Sequence, residues 1–115
     1  MVQVGRVYEQ PDGATRRVLV DRLWPRGVRK DDPRVDAWLP QVAPSTELRR
    51  WYGHRAEAFE EFADRYAAEL AGGPGAEAFA QLADLVAGGP TTLVTATREV
   101  DLSHLTVLRR LLDAR

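Results

Sequence analysis

The chain has 115 residues, 44% of them hydrophobic, with 16 basic against 17 acidic side chains and a formal net charge of −1; this is enough for one domain with a real core, over residues 1–115, and too little for two. The near-neutral balance gives no whole-protein field for nonspecific nucleic-acid binding, and the absence of cysteine excludes thiol nucleophiles, disulfides and thiolate-held metal. The N-terminus has no charged-then-apolar leader and no apolar run approaches the ~20 residues of a membrane span, so a cytoplasmic domain without membrane contact is the expectation.

Charge is unevenly spread. From Met1 to Gly53 there are 10 basic and 7 acidic residues, net +3, and from His54 to Arg115 there are 6 and 10, net −4. The densest basic stretch runs from Arg16 to Arg34. Lys30 is its single lysine and the only one in the chain.

In chain order, Val2, Val4 and Val7 with Tyr8 suggest a first strand, closed by the turn residues Pro11, Asp12 and Gly13. Arg17 to Asp21 is a β-branched, apolar run that reads as a buried strand neighbouring the first. It leads straight into a loop with Asp21, Arg22, Trp24, Pro25, Arg26 and Gly27. Arg34 to Val42, broken by Pro40, lies between a short strand and a helical turn. Pro44, Ser45 and Thr46 before Glu47 mark a helix start with favourable charge for its dipole, and Gly53 marks its end. Ala56, Phe59, Phe62, Ala63, Tyr66, Ala67 and Leu70 recur at helical spacing up to Gly72 and Gly73. A further helix carries Ala76, Phe79, Leu82, Ala83 and Val86 and stops at Gly88 and Gly89. A strand over Thr91 to Ala96, a polar connection and a helix with Leu105, Leu108, Leu111 and Leu112 inward complete the chain. The alternation predicts an α/β fold: a single layered domain with a small, mainly parallel sheet flanked by helices.

Three motifs carry a resemblance: DRLWPRG at Asp21 to Gly27, APSTELRRWYGH at Ala43 to His54, and the RxxYxxEL pattern of Arg65, Tyr66, Glu69 and Leu70. Together they resemble the YeaO-like branch of the domain of unknown function 488 family, over nearly the whole chain. The resemblance implies kinship and the order of elements and brings no established activity. In the relatives a late Ala-Lys pair precedes an Asn-His-Ala or similar triplet. Thr97, Arg98 and then Ser103, His104, Leu105 stand there in this chain. An arginine at that point keeps anion binding and removes an amine nucleophile.

Ligands of open parallel sheets bind beyond the carboxyl ends of the strands. Two strands here end in polar loops, Asp21 to Gly27 and Thr97 to His104. If they are adjacent, Asp21, Arg22, Arg26, Arg98, Ser103 and His104 surround one cleft. In that reading Arg22, Arg26 and Arg98 bind an anionic small molecule, phosphorylated or nucleotide-like. Trp24 supplies a stacking face, and Ser45, Thr46 and Arg49 add a helix terminus with a cation one turn on. His104 and Asp21 are the candidates for proton transfer if the site is catalytic.

The plainer reading makes Asp21 the ion-pair partner of the loop arginines, Trp24 a cap on the core, and Ser45 and Ser103 helix caps. A competing functional reading is a noncatalytic module using the Arg16 to Arg34 face for nucleic acid or protein. No metal is expected, since His54 and His104 are fifty residues apart without ligand spacing. No cofactor is expected either, because GxGxxG, Walker and GxSxG motifs are absent.

Overall fold

A computed structural model describes residues 2–115. Among them, strands β1 (Gln3–Arg6), β2 (Arg16–Leu19), β3 (Ala37–Trp38) and β4 (Thr91–Thr95) form one parallel sheet in the order β1-β4-β2-β3. All five residues of β4 are buried, as an interior strand of a parallel sheet requires. The fold class is therefore α/β, as the pattern of elements predicts.

One neighbour relation differs from expectation. β1 and β2 do not pair. β4, contributed from the far end of the chain, lies between them, with Gly5 opposite Val94 on one side and Val18 opposite Leu93 on the other. Because β1 and β2 run in the same direction, the link between them cannot be a hairpin. It must travel back along the sheet, which leaves room for a third strand.

Four helices follow: α1 (Thr46–Tyr52), α2 (Phe59–Glu69), α3 (Gly73–Ala87) and α4 (His104–Asp113). Ser45 caps α1 by accepting from the Leu48 amide, and Gly53 ends it in the left-handed region at φ 53°, where glycine avoids the Cβ clash. The glycine pair expected to close α2 instead opens α3. Leu70 caps α2, Gly72 is the N-cap of α3, and the helix begins at Gly73. A Cβ on Gly75 would stand 2.4 Å from the Glu69 carbonyl oxygen. Only glycine lets the end of α2 and the start of α3 approach so closely.

Strand alternation divides the core in two. Val18, Val20 and Leu93 point to one face and pack with Phe62 and Tyr66 of α2, Leu82 of α3, and Leu105 and Leu108 of α4. Each such side chain, once buried, contributes on the order of 1.5–3 kcal/mol. Leu19, Val94 and Val7 point to the other face and meet Trp24, Val35, Trp38 and Ala96, none of them helical. The helices thus cover one side of the sheet, and the segment between β2 and β3 covers the other.

Arg17 holds that second cover in place. Only 6% exposed, its guanidinium donates to the carbonyls of Arg34 (2.7 Å), Glu9 (3.1 Å), Val7 (3.2 Å) and Arg6 (3.3 Å). It therefore ties the β1–β2 link to the approach of β3. Trp24 and Trp38 meet edge to face at 5.4 Å. Their indole N–H groups donate to the carbonyls of Val28 and Asp21, and the Lys30 ammonium lies 4.4 Å and 4.7 Å from the two ring centroids.

Candidate functional site

At the carboxyl ends of the strands the chain leaves a cleft of about 620 Å³. Tyr8 borders it just past β1, Asp21 to Arg26 just past β2, and Ala96 and Thr97 just past β4. Leu102 to His104, the α1 residues Thr46, Arg49, Arg50 and Tyr52, and Ala43, Pro44, His54 and Phe62 complete its walls. The two polar loops do meet there, the arrangement open parallel sheets use for ligands.

At its base Asp21 and His104 are in contact, with side chains 16% and 11% exposed. The Asp21 Oδ1 accepts from the Thr95 hydroxyl at 2.7 Å, and Oδ2 accepts from the Ala96 amide at 2.8 Å. His104 Nε2 lies 3.2 Å from Asp21 Oδ1 and 3.0 Å from the Val20 carbonyl oxygen. Burial pushes the Asp21 carboxyl up. The hydrogen bond and charge of His104, with the Ala96 and Thr95 donors, outweigh it and hold the group below its ordinary value. The result is a carboxylate fixed across the ends of β2 and β4. Beside this pair, Tyr66 is fully buried, donates to the Val42 carbonyl and packs T-shaped with the His104 ring, centroids 6.2 Å apart. Burial raises its phenol well above the ordinary value, so it stays protonated.

Four arginines border the cleft, Arg22, Arg26, Arg49 and Arg50. Among the described residues none of them forms an ion pair. Arg22 reaches inward, donating to the carbonyls of Ala43 (3.1 Å) and Pro44 (3.4 Å), while its Nε is buried without a partner. Arg26, Arg49 and Arg50 are exposed. Trp24 and Pro25 form part of the wall, but the Trp24 ring also belongs to the second core and its N–H is committed to Val28.

Other sequence candidates lie elsewhere or are already occupied. Ser45 is not part of this cleft. Its hydroxyl bonds the Glu69 carboxylate and accepts the Leu48 amide. Ser103 touches the cleft but is buried, donating to the Val100 carbonyl at 2.6 Å and accepting from the Leu105 amide as the cap of α4. Arg98 is exposed and does not border the cleft.

Several lining residues are not among the candidate site residues of the sequence. Tyr8 spans the mouth and donates to the Arg26 carbonyl at 3.0 Å. Tyr52 donates to the Leu102 carbonyl at 2.7 Å and stacks on Phe62 at 4.3 Å. Leu23 is 73% exposed at the rim. For Tyr8 a signal existed, since it follows β1 as Asp21 follows β2. Among the described residues no group of acidic, histidine or cysteine side chains could hold a metal ion, and no helix is long and apolar enough to cross a membrane.

Similarity to known proteins agrees with the motifs. An uncharacterised protein of Mycobacterium tuberculosis strain H37Rv, Rv3073c, is 53% identical over 116 aligned residues, covering 99% of this chain and 95% of its own. The uncharacterised protein Mb3100c of Mycobacterium bovis matches to the same extent. YeaO of Escherichia coli K12, also uncharacterised, is 39% identical over 110 residues, covering 93% of this chain and 92% of its own. No solved structure is significantly similar. The model of the family described as the inactive DUF488-N3 subclade matches residues 1–115. The chain is a YeaO-like member of the domain of unknown function 488 family and belongs to that inactive subclade.

Proposed function

We propose that the cleft binds a small anionic molecule, phosphorylated or nucleotide-like. The observation that carries this reading is the convergence of Arg22, Arg26, Arg49 and Arg50 on one concave site, without an ion-pair partner among the described residues. Guanidinium groups bind phosphate and carboxylate through paired N–H donors, and the orphaned Arg22 Nε adds a buried donor to the same loop. Tyr8, Leu23, Tyr52 and Phe62 give the remaining walls an apolar character suited to the body of such a ligand.

Binding rather than turnover is the favoured activity. The subclade carries the description inactive. Asp21 already accepts from Thr95, Ala96 and His104, which supports a positioning role over proton transfer. The competing basic-face reading has less support, since several of its cations are engaged by neighbours within the chain. Arg17 is buried among carbonyls, Arg34 pairs with Asp32 at 2.9 Å, and Arg29 pairs with Asp31 at 3.5 Å.

The test is a thermal-shift and calorimetric comparison of wild type with Arg49→Ala and Arg26→Ala, using AMP, glycerol 3-phosphate and inorganic phosphate. Native-state binding raises the melting temperature with the logarithm of ligand concentration. A shift with a phosphorylated compound that shrinks in both variants supports the cleft. Salt-sensitive RNA binding that the Arg49 and Arg26 changes leave intact would overturn it in favour of a nucleic-acid module.

A further inference from the structure

Several hydrogen-bond acceptors at the cleft already have donors. The carbonyls of Ala43 and Pro44 receive Arg22, that of Arg26 receives Tyr8, and that of Leu102 receives Tyr52. Both oxygens of Asp21 have donors, and the Ser103 hydroxyl is closed on α4.

His54 and His104 both border the cleft, and it is for His104 that the neighbouring groups fix the tautomer. Nε2 faces two oxygens that can only accept, the Asp21 carboxylate at 3.2 Å and the Val20 carbonyl at 3.0 Å. A bare nitrogen lone pair there would repel both, so Nε2 carries the hydrogen. In the neutral ring the lone pair is then on Nδ1. That nitrogen has no hydrogen-bond partner among the described residues, and the ring borders the cleft. Asp21, itself held by Thr95 and Ala96, fixes this choice of nitrogen.

Resting on the anion-binding reading above, we propose that His104 Nδ1 is the acceptor with which the cleft reads its ligand. The ligand class is then an anion bearing a hydroxyl or N–H donor beside its charged group, as polyol phosphates, sugar phosphates and ribonucleotides do. The arginines read the charge, and His104 reads the neighbouring donor. A phosphate ester with a plain alkyl body satisfies only the first.

Glycerol 3-phosphate and propyl phosphate form a matched pair for the test, sharing a three-carbon skeleton and charge and differing in hydroxyl groups. At pH 8 both esters are dianions. Calorimetry with wild type is expected to show up to about tenfold tighter binding of glycerol 3-phosphate, the effect of one net hydrogen bond. In His104→Phe the ratio falls to about one. Equal binding of the pair by wild type overturns this inference and leaves the anion-binding reading standing, whereas failure of both esters to bind overturns both. Long-range proton–nitrogen spectra of wild type give a check independent of the variant's folding. A hydrogen on His104 Nε2 is expected, and one on Nδ1 overturns the proposal.

Discussion

The two faces of the sheet are covered by different physics. On one, α2, α3 and α4 bury Phe62, Tyr66, Leu82, Leu105 and Leu108 against Val18, Val20 and Leu93. On the other, a segment without helix lies over Leu19 and Val94 through two indoles, held by directed bonds: Arg17 to four carbonyls, Trp24 to Val28 and Trp38 to Asp21. The helical face depends on apolar area, which is nondirectional and tolerant of small shifts. The loop face depends on a few hydrogen bonds, each needing its partner in place. The cleft opens where the two meet, and the Asp21–His104 contact joins a loop residue to a helix residue there.

The largest expected effect comes from β4, whose neighbouring residues serve opposite faces. Leu93→Ala removes a fully buried side chain from the helical core and is expected to cost about 2–5 kcal/mol, with loss of protection throughout. Val94→Ala should cost less and expose mainly the loop cover. Chemical denaturation gives the magnitudes, and residue-level hydrogen exchange shows where protection is lost. Indistinguishable exchange patterns in the two variants would mean that the faces unfold as one unit.

Arg17→Met sharpens the comparison. The substituted side chain keeps apolar bulk but removes the guanidinium donor from the carbonyls of Val7, Glu9 and Arg34, and leaves that of Arg6 with the Glu9 amide alone. A loss of about 1–3 kcal/mol is expected, with faster exchange in residues 7–15 and 28–36 and little change in α2 and α4. Arg17→Lys should rescue poorly, because a single ammonium cannot reproduce the fork of donors. Full rescue by lysine would show that charge rather than geometry holds the link.

How far the sequence foretold this arrangement follows the same division. The helical face was legible because its signals are local: the spacing of Phe59, Phe62 and Tyr66, the Ser45 cap and the Gly53 stop all lie within a few residues of what they determine. Strand order was not, because pairing of β1 with a strand some ninety residues later leaves no trace in either segment's pattern. The loop carrying Asp21, Arg22 and Trp24 stood out by composition. Nothing in composition distinguishes Arg17, turned inward, from Arg16, which reaches the surface carbonyl of Leu85. Strand parity separates the two once the sheet is known. Arg98 stands near the strand end in the motif, yet it is exposed and lies off the cleft wall, a placement that composition does not reveal.

Lys30 tests the weakest contact on the loop face. Its ammonium sits over Trp24 and Trp38, both ends of the pair that closes the second core, yet the residue is exposed. Water competes for the ammonium there, so the attraction to the ring faces amounts to about 0.5–1 kcal/mol. Lys30→Gln should therefore lower the melting temperature by roughly 2–4 °C, and Lys30→Arg should recover most of it, since a guanidinium also stacks on indole. The same small loss should follow acetylation, which has only this one lysine side chain to modify. A drop as large as that of Arg17→Met would place Lys30 among the fasteners of the loop. No drop at all would mean that the indole pair and its two N–H bonds close this face without help from the cation.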